Sequence, residues 1–145
     1  MIEKDLRFIS WRDPIDNMTL LHKAGLFNSY NCSQVLLHRG ADPYSTIPNC
    51  EWTPIHLAAR DSSFNIVKAY IDYKIDLNTV DEDGRTIMHI AAMHGNVEFL
   101  EQLLELRIFD LDESNLNVQS KGWNPLHYSS WYGGHQSPFF LLLDF

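Results

Sequence analysis

Basic clusters are what this chain most lacks. Its 11 Lys and Arg residues are scattered among 19 Asp and Glu, for a net charge of −8. A scattered minority of cations argues against broad binding to nucleic acid or to an anionic membrane. Long apolar runs are missing too. None approaches the roughly 18 residues needed for a membrane-spanning helix. The start, Met1-Ile2-Glu3-Lys4-Asp5, is not followed by the apolar block of a secretory signal. Cysteine is scarce, and Cys32 and Cys50 cannot build a disulfide framework. They are expected as free thiols in a reducing compartment, the cytoplasm or the nucleus. No Gly-x-Ser-x-Gly elbow occurs, nor either glycine-rich phosphate loop. Nucleophilic catalysis, cofactor binding and a small-molecule substrate therefore have no residue pattern behind them.

What the chain does have is a phrase that returns. Thr19-Leu20-Leu21-His22-Lys23-Ala24-Gly25 is followed by Thr53-Pro54-Ile55-His56-Leu57-Ala58-Ala59. Thr86-Ile87-Met88-His89-Ile90-Ala91-Ala92 and Asn124-Pro125-Leu126-His127-Tyr128-Ser129-Ser130 complete the series. The histidines fall 34, 33 and 38 residues apart. A fixed period near 33 is the mark of a stacked repeat array.

Within each period the residues predict two helices. Thr19 and Thr53 can cap a helix by accepting backbone N–H groups, and Pro54 stands where no N–H is needed. Phe64, Val67 and Ile71 share one helical face, as do Val97, Leu100, Leu103 and Leu104. Gly40 can end a helix in the left-handed conformation. Lys74 occupies that place one repeat later, so this helix end should be strained or differently shaped. The resulting division is a cap segment over 1–17, repeats over 18–46 and 47–79, a third over 80–118, and an incomplete fourth over 119–145. The third holds an insertion near 107–115. A short helix is expected ahead of Asp13-Pro14. The last repeat stops without a polar closing helix, which reads as a fragment of a longer protein or a fold completed by a partner.

The phrase, the glycine after it, the Leu-rich second helix and Gly40-Ala41-Asp42 resemble the ankyrin repeat pattern over about residues 15–145. The resemblance implies an all-α solenoid of stacked antiparallel helix pairs with projecting hairpin-like loops. It also implies that His22, His56, His89 and His127 tie their helices to neighbouring backbone. Successive repeats stand roughly 10 Å apart, so these histidines cannot share a zinc ion with ligands about 2 Å away. His94 and His135, near helix junctions, read as exposed. Asp81-Glu82-Asp83 lacks the spacing of a calcium loop and reads as a solvated turn.

By the same resemblance, partner contacts come from the loop tips before each phrase and from the residues after its two small ones. The tips are Met18, Trp52, Arg85 and Trp123; the following positions include Phe27, Arg60, Met93, His94, Trp131 and Tyr132. Trp, Tyr, Met and Arg are the types enriched at protein interfaces. An aromatic at such a position can instead pack against the next repeat. The expected role is a non-catalytic scaffold or adaptor holding a protein partner on a concave face. The alternative is a regulatory or targeting part of a larger enzyme or signalling protein.

Overall fold

The computed structural model describes residues 7–106. The insertion near 107–115, the fourth phrase, Trp123, Trp131 and Tyr132 lie outside the described residues. Six helices run in order: α1 Leu20–Leu26, α2 Tyr30–His38, α3 Pro54–Asp61, α4 Phe64–Asp72, α5 Ile87–Met93 and α6 Val97–Glu105. Odd-numbered helices carry the repeated phrase and even-numbered ones the Leu-rich partner. Ahead of Asp13 the described chain holds one 3-10 turn at Arg7 and Phe8.

Each of the three described phrases begins with the same cap. Thr19, Thr53 and Thr86 sit in extended conformation, with φ near −80° and ψ of 169–173°. Such a residue ends the loop and offers its hydroxyl to the first helical turn. Between the described repeats the chain makes tight loops. Single antiparallel bridges pair Arg12 with Thr19 and Ile47 with Trp52. In the third loop, Asp81 N–H donates to the Arg85 carbonyl at 3.0 Å.

The helices stack in register. α1 packs on α3 and α3 on α5, while α2 packs on α4. Ala58, Ala59, Ala91 and Ala92 are fully buried, because small side chains let the inner helices approach closely. Gly25 holds the matching place in the first repeat. A Cβ there would stand 3.2 Å from the Pro54 carbonyl oxygen and 3.3 Å from Ile66 Cδ1. The outer helices meet through larger groups: the Phe64 and Phe99 rings touch edge to face with centroids 5.4 Å apart. Tyr70, buried in the same layer, donates its hydroxyl to the Pro43 carbonyl at 2.8 Å.

The reversals between helices use the left-handed region. Asn28, Ser62 and Gly95, at equivalent places between inner and outer helix, have φ of 52°, 59° and 68°. At the end of the outer helix Gly40 has φ of 87° and Lys74 has φ of 54°. Lys74 thus adopts a backbone that glycine takes without steric cost, and a side chain there costs roughly 1–2 kcal/mol. Part of that is offset because glycine is freer in the unfolded chain. Lys74→Gly should therefore stabilise the protein by about 0.5–1 kcal/mol, seen as a higher urea midpoint with an unchanged slope. An unmoved or lowered midpoint would show that Lys74 bears no strain.

Candidate functional site

The recurring histidines fasten repeat to repeat. The Thr19 backbone N–H donates to His22 Nδ1 at 3.2 Å, and the Thr19 hydroxyl lies 2.8 Å from the same nitrogen. The His22 N–H in turn donates to the Thr19 hydroxyl at 3.3 Å, closing a reciprocal capping box. With Nδ1 accepting, the proton sits on Nε2, which donates to the Trp52 carbonyl at 3.1 Å. His56 repeats the arrangement: Thr53 N–H donates to its Nδ1 at 3.1 Å and its Nε2 reaches the Thr79 carbonyl at 3.2 Å. Thr86 N–H donates to His89 Nδ1 at 3.2 Å. Burial lowers the pKa of His22 from 6.5 to about 4, opposed by the carbonyl that Nε2 meets. His56 is lowered as well, again chiefly by burial. The His22 and His56 rings are neutral clamps.

The second node was not visible in the sequence. Asp81 is only 4% exposed. Its Oδ1 accepts from the N–H groups of Asp83 at 3.0 Å and Arg85 at 2.9 Å. Its Oδ2 accepts from Trp52 Nε1 at 2.9 Å and Arg85 Nε at 2.8 Å. Four donors converge on one carboxylate, which is how a buried charge is accommodated. Reading Asp81-Glu82-Asp83 as a solvated turn therefore fits Glu82, which is exposed, and fails for Asp81. The partner that buries it, Trp52, lies 29 residues earlier on the neighbouring loop.

Trp52, Arg60, Arg85 and Met93 come together around this node. The Arg60 guanidinium lies over the Trp52 ring, 5.8 Å from its centroid. One repeat on, Arg85 Nη1 donates to Met93 Sδ at 3.8 Å. The same tip-to-helix contact is made twice, with the arginine on the helix in one repeat and on the loop in the next. Arg60 also grips Asp61 with two hydrogen bonds, at 2.9 and 2.8 Å. Arg85 Nη2 pairs with Asp83 at 3.0 Å. Asn96 locks the turn below by donating to the carbonyls of Ala59 and Arg60. Trp52 therefore performs the packing role as well as lining the surface.

The remaining positions are simpler. Met18 is half-buried at the stem of the first loop, where its carbonyl accepts from Asp13 N–H at 2.9 Å. Phe27 is 79% exposed at the end of α1. His94 is exposed at the end of α5, its Nδ1 donating to the Ile90 carbonyl at 2.9 Å. Phe27, Asp61 and His94 occupy equivalent places and form an exposed row beside the Trp52–Arg85 strip. Among the described residues, no group of three or more His, Cys, Asp or Glu could hold a metal ion. None of the described helices is long and apolar enough to cross a membrane.

Comparison with known proteins agrees with this architecture. Residues 21–112 and 55–144 match ankyrin repeats in three-copy units. A putative ankyrin repeat protein of Acanthamoeba polyphaga mimivirus is 27% identical over 101 residues, 70% of this chain and 13% of that protein. The human transient receptor potential cation channel subfamily A member 1 is 29% identical over 122 residues, 80% of this chain and 10% of the channel. A palmitoyltransferase of Lachancea kluyveri is 31% identical over 125 residues, 83% of this chain and 16% of the enzyme. The chain thus spans less than a fifth of the length of each of these relatives. Capped helix pairs in register, the histidine clamps and these matches together place the chain in the ankyrin-repeat family.

Proposed function

We propose that this chain is a non-catalytic interaction module that holds a protein partner along its loop tips and inner-helix ends. The observation that carries the reading is the strip formed by Trp52, Arg60, Arg85 and Met93, fixed by Asp81. Its side chains are already ordered by contacts within the protein. A partner that lands on them loses less conformational entropy than it would on loose side chains. Exposed Phe27 and His94, in the row beside the strip, offer contact area that the fold itself does not use. Trp123, Trp131 and Tyr132 would continue it by the logic of the period.

Site-specific photocrosslinking tests the placement. A crosslinker at position 94 or 27 of the full chain should trap a partner, and one at Lys68 on the exposed face of α4 should not. Phe27→Ala with His94→Ala should then weaken that partner by about tenfold or more, with helical circular dichroism unchanged. Crosslinks that arise equally from position 68, or affinity that survives the double substitution, would remove the assigned surface.

A second reading rests on the relatives. Two of them are a cation channel and a palmitoyltransferase in which the matching stretch is a minor part. On that basis the repeats would serve as the regulatory or targeting segment of a larger protein. The surface would be the same, with its partner sought among the domains of that protein. A transcript in which the reading frame ends at Phe145 with no further domain would exclude this second reading.

A further inference from the structure

A second surface lies on the first described repeat, and it meets the loop-tip strip at Phe27. Between α1 and α2 runs an apolar groove of about 470 Å³, lined by Leu20, Ala24, Phe27, Cys32, Val35 and Leu36. Its meaning comes from the period. One repeat later, the residues equivalent to Leu20, Cys32 and Val35 are Pro54, Ile66 and Ala69. Those three are buried, and Pro54 and Ile66 are the very groups that crowd Gly25 of the preceding repeat. In the third repeat Ile87 and Phe99 hold the first two places and are fully buried. Cys32 is instead exposed, and Val35 is 49% exposed. The groove thus corresponds to the face that the second and third repeats present to the repeat before them, except that the third repeat has half-exposed Gln102 at the place of Val35.

Polar groups at this face match as well. At the junction of the first two repeats, Asn65 N–H donates to Asn28 Oδ1 at 3.0 Å, and Asn65 Nδ2 donates to the Asn28 carbonyl at 2.9 Å. Asn31 is the equivalent of Asn65, and it lines the groove with its side chain exposed. The Met18 carbonyl is the equivalent of the Trp52 carbonyl. Trp52 O accepts both the loop N–H of Ile47 and the Nε2 of His22. Met18 O accepts the corresponding loop N–H of Asp13 at 2.9 Å. Among the described residues no histidine meets it as His22 meets Trp52 O, and a carbonyl oxygen can accept a second bond.

We propose that the open face of the first repeat docks a further ankyrin-type helix pair, contributed by another polypeptide. That pair would present small residues on its inner helix, a turn asparagine toward Asn31 and a phrase histidine toward the Met18 carbonyl. Continuity with the interface between the first two repeats is the basis for this choice of occupant. Lys23 stands where Leu57 and Ile90 are buried in the later repeats, and it is held at the rim by Asp13 and Asp16. The face thus has one charged edge that the internal interfaces lack.

The test supplies such a pair at high effective concentration, so that weak affinity cannot hide docking. A second copy of residues 13–46, carrying Cys32→Ser, is inserted between Arg12 and Asp13 of the full chain. The original Cys32 should then react with a thiol-alkylating reagent at least about tenfold more slowly than in the unmodified chain. Cys50, outside the groove, should react at its former rate and serves as the reference. Val35→Glu in the original repeat should restore the reactivity of Cys32; in the chain without the insert it should leave the fold intact, because Val35 is half-exposed. Unchanged Cys32 reactivity in the extended chain overturns the proposal. So does concentration-dependent association of the unmodified chain that Val35→Glu abolishes, since the occupant would then be a second copy.

Discussion

Asp81→Ala should destabilise the protein by roughly 3 kcal/mol, the lower end of the range for breaking a buried charge pair. The lower end applies because Arg85 keeps part of its side chain in water and retains Asp83 at 3.0 Å. Several losses coincide. Trp52 Nε1–H is left without its acceptor, and the turn loses the two N–H bonds that Oδ1 accepts. For a chain of this size the melting temperature should fall by on the order of 10 °C. A double-mutant cycle separates the tryptophan link from the rest. Trp52→Phe removes the indole N–H together with part of the ring beneath Arg60, and the cycle cancels the ring loss, so Asp81→Ala on that background should cost about 1 kcal/mol less than in the wild type. Strict additivity of the two substitutions would mean that the hydrogen bond between adjacent loops contributes nothing. The same variant bears on function, because Asp81 positions both loop tips of the proposed binding strip. Partner affinity should fall even though Asp81 itself is buried.

What the sequence shows of this fold is whatever repeats. Thr19, Thr53 and Thr86 recur at fixed distance from a histidine, so the caps and the clamps are read together from spacing alone. The buried alanines follow from the same phrase, and the strained end at Lys74 follows from comparing it with Gly40. Contacts specific to one junction are illegible, because no second copy announces them. Asp81 has no acidic counterpart in the second loop, where Pro48 and Asn49 lie before Trp52. Its burial depends on an indole N–H reaching across from the previous loop. Trp52 shows the converse. Its residue type suggested an interface anchor, yet its ring is half-buried beneath Arg60 and its nitrogen is occupied. Asn28 and Ser62 show how a turn can be missed: the third repeat has Gly95 at that position, and only the backbone angles reveal that all three are left-handed.

The histidine clamps make stability fall as the solution is acidified from about pH 6.5 toward pH 4. His22 has its folded pKa depressed to about 4 by burial, against 6.5 in the unfolded chain. Between those values the unfolded chain binds the extra proton and the folded one does not. The contribution is therefore fully present above pH 6.5 and is lost as pH falls through the folded value. A depression of that size corresponds to about 3 kcal/mol once both states are titrated. His56 is shifted in the same direction and adds to the slope. Structurally, protonation puts a hydrogen on Nδ1 where the Thr19 N–H already donates, so the cap and the ring can no longer both be satisfied. His22→Gln isolates this cause. Glutamine at the third helical position can still close a capping box, but it does not titrate and does not bridge to the Trp52 carbonyl. The variant should be less stable than wild type at pH 7.5 by roughly 1–2 kcal/mol. Its urea midpoint should fall less steeply with acid, so that the two profiles cross between about pH 5 and 6. Parallel pH profiles would show that His22 is not the group whose titration loosens the stack, and would shift the acid sensitivity to the carboxylates.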